Sequence, residues 1–262
     1  MKRLWNSLNI ALSMYSRLPA AQCDWSEENM KYVMCFFPWI GVVIGLLCLG
    51  WDWLARYFYL NMPLRNVILM LIPIAVSGGI HLDGLLDTAD ALSSWRPRER
   101  RLEILKDSHA GAFAIIICTA YFFLLYAVLD MVQGEMVRIY VLGFVLSRSL
   151  SAFSVVTFPK ASANGTVAGF SRNAETKIIQ TVSMIYAILC SLIACMLHPV
   201  YGLAILLGAF ASFGWYYRMA MKNFGGINGD LAGCFLSVCE LAVPLVLVVA
   251  GRVLFLYNGV FS

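Results

Sequence analysis

Three aspartates stand close together in an apolar part of the chain, in the segment Gly-Ile-His-Leu-Asp-Gly-Leu-Leu-Asp-Thr-Ala-Asp at residues 79–90. In a helix, Asp83, Asp87 and Asp90 fall at positions i, i+4 and i+7, on one face. Each Asp at the centre of a membrane span costs about 2.5–3.5 kcal/mol, and carboxylates one turn apart repel each other. A divalent cation would remove the repulsion, and oxygen ligands favour Mg²⁺, Mn²⁺ or Ca²⁺ over Zn²⁺. The spacing therefore predicts a metal site, with a solvated helix end as the alternative.

Other candidate residues lie beside this segment. His81 could help catalysis or could simply hydrogen-bond a backbone carbonyl. The following loop, residues 92–110, is rich in arginine and includes Arg100; either a cytoplasmic location or phosphate binding would explain this composition. Asp107 and Ser108 come just before the next apolar segment, where a helix N-terminus could accept a phosphate or an acid.

Two more stretches carry charges in apolar surroundings. Asp230 follows a glycine-rich turn at residues 225–229 and precedes the last apolar segment, so it is either a helix N-cap or a functional acid. Glu240 lies deeper in that segment and does not share a face closely with Asp230. Arg148 interrupts another apolar run, and either snorkelling to the interface or contact with an anionic substrate would explain it.

The elements that must position these residues are membrane helices. Of the 262 residues, 61% are hydrophobic and only 13% are charged, which is too little charge to cover a water-facing surface. The pattern predicts an all-α polytopic bundle over residues 36–262, preceded by an amphipathic segment at 1–35. Seven apolar segments are long enough, or nearly so, to span a bilayer: 36–58, 67–91, 111–131, 137–158, 178–197, 199–217 and 231–256.

The basic residues predict the orientation. Fourteen Lys and Arg fall in one alternating set of segments, namely the N-terminal segment and the loops 92–110, 159–177 and 218–230, whereas the opposite loops hold only Arg65, Arg138 and Arg252. The positive-inside rule therefore places the N-terminus in the cytoplasm and the C-terminus outside. An Asn-Gly-Thr sequon at residues 164–166 falls in a predicted cytoplasmic loop, so we interpret it as a chance match.

Some classes of protein are disfavoured. None of the eight cysteines forms a C-x-x-C pair, and most lie in apolar runs, so neither a zinc site nor a disulfide framework is indicated. The net charge of +4 comes without a long basic run or a nucleic-acid motif, so nucleic acid is not an expected partner.

The residues quoted above resemble the cobalamin synthase family, also called adenosylcobinamide-GDP ribazoletransferases. The strongest match is the block at residues 79–90, which resembles the family's G-x-H-L-D-G-L-x-D-T-x-D pattern. Weaker matches in family order cover nearly the whole chain. They are Ser16-Arg17-Leu18-Pro19, Phe37-Pro38-Trp39-Ile40-Gly41, Arg100, Leu102-Glu103-Ile104, Asp107-Ser108, Gly111, Ser147-Arg148, Gly229-Asp230 to Gly233, and Glu240. The family commonly has Thr where this chain has Asn228.

The resemblance implies a reaction and its participants. A ribose hydroxyl of α-ribazole, or of α-ribazole 5′-phosphate, would attack the phosphate that adenosylcobinamide-GDP carries next to cobinamide, and GMP would leave. Mg²⁺ is the implied cofactor, held by Asp83, Asp87 and Asp90, with His81 or one Asp accepting the proton. The implied substrate-binding residues are Arg17, Arg100, Asp107, Ser108, Arg148, Asp230 and Glu240.

The location implied is the bacterial cytoplasmic membrane, with the active face toward the cytoplasm. The sequence leaves open a homo-oligomer or association with other enzymes of cobalamin assembly. The alternatives in function are a CDP-alcohol phosphotransferase and, in a different class, an ion or solute transporter. The first lacks its Asp-x-x-Asp-Gly-x-x-Ala-Arg pattern here, and no inverted repeat supports the second.

Overall fold

The fold is a helical bundle, seen in a computed structural model that describes residues 2–107, 109–162, 169, 172 and 174–260, the side chains of 258–260 excepted. The sequon at residues 164–166 lies outside these residues. Within them, extended pairing is limited to one isolated bridge between Lys160 and Ile227. The helices are α1 Lys2–Tyr15, α2 Glu27–Met30, α3 Val33–Tyr57, α4 Met62–Ser77, α5 Ile80–Ser93, α6 Arg98–Ile104, α7 Ala112–Met131, α8 Glu135–Tyr140, α9 Leu142–Thr157, α10 Thr176–Leu197, α11 Pro199–Phe224 and α12 Gly229–Val260.

The predicted membrane class and the approximate number of spans are confirmed. Among the described residues, six stretches are long and apolar enough to cross a membrane: α3, α7, the continuous pair α8–α9, α10, α11 and α12. A seventh span results if the bent pair α4–α5 is counted as one. Large apolar side chains also point outward from α7 and α10, for example Phe123 at 72% exposure and Met196 at 84%, as expected of surfaces that face lipid.

The second predicted span, 67–91, consists of two helices, since α4 ends at Ser77 and α5 begins at Ile80. Two successive glycines break it: Gly78 and Gly79 have φ of 67° and 83°, in the left-handed region that glycine adopts without steric cost. The N–H of Gly79 donates to Ile74 O at 3.0 Å, which closes the end of α4. A Cβ at Gly78 would also lie 2.6 Å from Arg17 Nε. The two axes consequently differ by 93°.

The other predicted boundaries agree with the structure to within a few residues, except that α11 and α12 run further toward the C-terminus than predicted. The expected tight turn between the fifth and sixth spans is confirmed, since α10 ends at Leu197 and α11 begins at Pro199. The side chain of His198 caps α11 by accepting the N–H of Tyr201 at 3.3 Å.

Helix α9 lies inside the bundle and is buried along nearly all of its length. Small residues allow neighbours to come close to it: Gly41 and Gly45 of α3 lie against the backbone of Phe144 and Val141. Close approach of this kind is the usual basis of helix association in membranes, where burial of apolar surface gives little net driving force. The interior formed by α3, α9 and α12 supports the helices that carry the candidate residues.

The basic segments gather at one end of the bundle, as the positive-inside count predicts. At that end Arg98 donates to Ala161 O at 3.4 Å and Arg101 donates to Asn223 Oδ1 at 2.7 Å. The backbone N–H of Glu175 donates to Lys31 O at 3.2 Å. The three basic loops therefore contact one another, and the N-terminal segment contacts the loop 159–177. We call this end of the bundle the basic end.

Candidate active site

Helix α5 crosses helix α12 at the basic end with almost no side-chain volume between them. A Cβ at Gly84 would collide with the backbone carbonyl of Asp230, and a Cβ at Gly233 would lie 3.2 Å from Ile80 O. Two glycines, one on each helix, thus permit backbone contact. The crossing brings the acidic segment of α5 to the first turn of α12, which a straight second span would not have done.

Asp83, Asp87 and Asp230 form the acidic group of the site. The carboxylates of Asp83, Asp230 and Asp90 all act electrostatically on that of Asp87. Asp83 is in the first turn of α5 and Asp230 in the first turn of α12, so each benefits from the positive end of a helix dipole.

Asn228 positions Asp230. Its Nδ2 donates to Asp230 Oδ2 at 2.8 Å, and its Oδ1 accepts the N–H of Leu231 at 2.9 Å. Asn228, rather than Asp230, therefore caps α12, which leaves the second oxygen of Asp230 free of this contact. Sequence reasoning noted Asn228 only as a departure from the family pattern. Its place before Gly-Asp, three residues ahead of an apolar run, is the capping signal that could have identified it.

Asp90 has a different environment from the other two acids of α5. Its Oδ2 accepts the N–H of Gly111 at 2.6 Å, and its Oδ1 accepts the N–H of Ala114 at 2.9 Å. Both oxygens therefore bond to the first turn of α7, whose N–H groups have no partner within the helix. The geometry gives Asp90 the position of a capping carboxylate for α7, and its predicted role as a metal ligand stays a prediction.

A cavity of about 300 Å³ opens beside this acidic group. Asp83 and Asp230 are among the residues that line it. Its remaining walls come from α1, α3, α5, α9 and α12, and they are largely apolar, with Met14, Tyr15, Met34, Phe37, Val155 and Leu236 among the lining residues. The volume is at the lower end of the range typical of small-molecule sites.

His81 lies on the wall of this cavity, buried and edge-on to Phe37, with ring centroids 5.9 Å apart. Its Nε2 has no hydrogen-bond partner among the described residues. Nothing there supports the alternative in which Nε2 simply bonds a backbone carbonyl. An unpartnered ring nitrogen beside a cavity suits a group that meets a substrate.

Arg148 and Glu240 are brought to each other rather than to the acidic group. Arg148 Nη1 donates to Glu240 Oε1 at 2.7 Å and to Phe144 O at 3.1 Å. Arg148 is completely buried, so it does not snorkel, and its guanidinium lies over the ring of Phe37 at 5.9 Å. The pair neutralises two charges inside the bundle, and its predicted contact with substrate stays a prediction.

The remaining predicted residues lie toward the surface. Arg17 is exposed and covers the α4–α5 break, with its N–H donating to Val76 O at 2.7 Å. Arg100 is exposed and pairs with Glu103 at 2.5 Å. Asp107 accepts from His109 Nδ1 at 2.8 Å, and hydrogen bonds from His109 lower the pKa of Asp107. Ser108 lies outside the described residues.

Mg²⁺, the cofactor that the resemblance implies, fits the chemistry of the acidic group. In the described part of the chain, no three His, Cys, Asp or Glu side chains converge closely enough to hold an ion by themselves. Mg²⁺ commonly keeps several waters and takes only one or two carboxylates together with substrate phosphates. Asp83, Asp87 and Asp230 offer oxygens of this kind without a cation partner among the described residues, and they are the residues that would hold it.

The fold and the site define an all-helical membrane protein with carboxylates beside an aromatic-lined cavity. Residues 7–248 match the model of the family described as cobalamin-5-phosphate synthase, and the chain belongs to that family. This confirms the resemblance seen in the sequence and favours it over the phosphotransferase and transporter alternatives.

Three relatives illustrate this, each named adenosylcobinamide-GDP ribazoletransferase. The relative from Lachnoclostridium phytofermentans is 41% identical over 97% of both chains. One from Clostridium botulinum strain Alaska E43 is 33% identical over 92% of this chain and 96% of its own. One from Pseudomonas syringae pv. syringae is 30% identical over 94% of this chain and 99% of its own. No solved structure matches the chain.

Proposed function

We propose that this protein joins α-ribazole, or its 5′-phosphate, to cobinamide. A ribose hydroxyl oxygen forms a bond to the phosphorus that adenosylcobinamide-GDP carries next to cobinamide. The bond from that phosphorus to the bridging oxygen breaks, and GMP leaves. The products are adenosylcobalamin, or its 5′-phosphate, and GMP. Family membership and the names of the relatives support this reaction.

One structural observation supports placing this reaction at the cavity beside the acidic group. Asp83 and Asp230, from two different helices, line the same cavity as His81. Phosphoryl transfer needs a positioned nucleophile, a proton acceptor and neutralisation of charge on the phosphates. A substrate in the cavity would contact these side chains, which can position the nucleophile and accept its proton.

The residues have separate tasks in this proposal. The cavity orients the incoming ribose, and its apolar walls exclude water that would otherwise compete as the nucleophile. Asp83 or His81 accepts the hydroxyl proton, since both residues line the cavity. Asn228 keeps Asp230 in a fixed rotamer through the bond at 2.8 Å. When bound at Asp83, Asp87 and Asp230, Mg²⁺ would supply neutralising charge to the phosphates.

A purified-protein assay tests the reaction. The protein in nanodiscs should release GMP from adenosylcobinamide-GDP only when α-ribazole or its 5′-phosphate is present. Release of GMP without acceptor, or no release with either acceptor, would contradict the proposal.

Metal binding is tested separately from turnover. Mn²⁺ titrated into the protein with adenosylcobinamide-GDP should bind saturably, measured by the loss of its free electron paramagnetic resonance signal. Asp83→Asn and Asp230→Asn should weaken this binding. Glu135→Gln, an exposed acid near the opposite end of the bundle, is the matched control and should not change it. Equal binding in all of these variants would remove the acidic group as the metal site.

We further propose that the basic end faces the cytoplasm and that the membrane is the bacterial inner membrane. The positive-inside distribution supports the orientation, and the nucleotide substrate supports a cytoplasmic active face.

A further inference from the structure

The cavity beside the acidic group is lined by two chemically different sets of residues. Asp83 and Asp230 are its carboxylates, and Tyr15 and Phe37, with ring centroids 4.7 Å apart, belong to its apolar lining. Tyr15 OH donates to Met34 Sδ at 3.5 Å, which directs its polar atom toward the wall of the cavity. The proposed mechanism uses the carboxylates and leaves the aromatic part without a ligand.

We infer that the aromatic part of the cavity binds the planar heterocyclic base of the incoming nucleoside, and that the corrin ring stays outside. This rests on the proposed function for the identity of the nucleoside. A ribose attached to a base held there comes next to Asp83 and Asp230, where its hydroxyl must react. The base itself needs a flat, apolar, polarisable surface, and aromatic rings with methionine sulfur provide one.

Size separates the two substrates. A cavity of about 300 Å³ accommodates a bicyclic base with a ribose, whereas a corrin macrocycle with its amide side chains is much larger. Polarity agrees with this assignment, because the corrin amides would leave many hydrogen-bonding groups unpaired against Met14, Met34, Val155 and Leu236. Cobinamide-GDP would then reach the acidic group from the mouth of the cavity, with only its phosphates close to Asp83.

The inference predicts that three variants of the cavity wall weaken binding of the base. Tyr15→Leu removes a ring from the cavity wall and should raise the Kd for α-ribazole about tenfold, in line with the loss of one aromatic contact to a base. Phe37→Leu removes the buried ring that packs against Tyr15 and should raise the Kd in the same direction. Val155→Phe fills the cavity instead and should exclude the nucleoside. Phe210→Leu, on an exposed part of α11, is the matched control and should keep the wild-type Kd.

The experiment is equilibrium binding of α-ribazole, and of free benzimidazole as a fragment, to the full chain in nanodiscs without cobinamide-GDP. Circular dichroism and the thermal midpoint identify variants that fail to fold. Should Phe37→Leu not fold, Tyr15→Leu and Val155→Phe carry the test, because they alter opposite properties of the cavity. Wild-type Kd in both folded variants overturns the inference.

A second measurement separates this inference from the proposed reaction. In the GMP-release assay, the wall variants should raise KM for α-ribazole and leave KM for adenosylcobinamide-GDP unchanged. If the wild type turns over but the variants bind α-ribazole normally, the inference fails and the function stands. If the wild type releases no GMP yet binds benzimidazole in a Tyr15-dependent manner, the reaction fails and the base site stands.

Discussion

Asp87 and Asp90 have identical side chains and lie one turn apart on α5, yet their different surroundings predict different roles. Asp87 faces other carboxylates, whereas both oxygens of Asp90 accept backbone N–H groups of α7. The spacing i, i+4, i+7 predicts a shared helical face. It cannot predict which acid meets the end of another helix, because that depends on how α7 packs against α5.

Asp87→Asn should reduce turnover by about 10²-fold or more and leave membrane insertion and the thermal midpoint unchanged. Asn keeps the shape of the side chain but removes the charge that the proposed reaction uses. The measurement is GMP release beside a thermal melt of the same preparation. Normal turnover would exclude Asp87 from the reaction.

Asp90→Ala, unlike Asp87→Asn, should lower the stability of the protein. The expected loss is about 0.5–2 kcal/mol, the usual effect of removing a helix cap. The substitution leaves the N–H groups of Gly111 and Ala114 without acceptors. Asp90→Asn should restore part of the loss because its one oxygen still accepts. A thermal midpoint that does not change in Asp90→Ala would contradict the capping role.

At the scale of elements, the bend between α4 and α5 decides where the acids lie. Hydropathy alone joins residues 67–91 into one span, since Gly78 and Gly79 interrupt neither the apolar composition nor the length. The signal was present as a Gly-Gly pair, but the size of the bend depends on Arg17 covering Gly78 and on α5 meeting α12. Local sequence contains neither of these contacts.

The crossing of α5 and α12 can be tested by adding one methyl group. Gly84→Ala should lower turnover markedly, because the new Cβ would meet the carbonyl of Asp230 and push the two acidic segments apart. Gly214→Ala is the matched control, since it lies on α11 with open space at its Cβ position. Equal activity of the two variants would show that the crossing tolerates separation.

For the whole molecule, composition and charge were sufficient to predict the class, the approximate number of spans and a single basic end. These properties are sums over many residues and depend little on any one contact. The partners of Arg148 and Glu240 were not predictable in this way. They are 92 residues apart, and each alone could equally have faced lipid, solvent or a substrate.

This buried pair gives a prediction about the stability of the bundle. Glu240→Gln should destabilise the protein by about 3–5 kcal/mol, because it leaves the Arg148 guanidinium buried without its counter-charge. The double variant Arg148→Met with Glu240→Leu should regain much of this loss, since neither charge is then buried. Thermal melts measure both effects. If the double variant is stable but inactive, the pair also has a role in turnover, as contact with substrate would give it.

In the proposed site, chemistry and selectivity fall on different parts of this bundle. The distance between Asp83 and Asp230 is set where two backbones touch at Gly84 and Gly233, whereas α1, α3 and α9 supply much of the wall around the proposed base. Exchanging Met14, Met34 or Val155 for a larger or smaller residue would therefore reshape the receptor without moving the reacting carboxylates. Through such exchanges, a relative of this protein can evolve to accept a nucleoside with a different base while its reacting carboxylates stay the same.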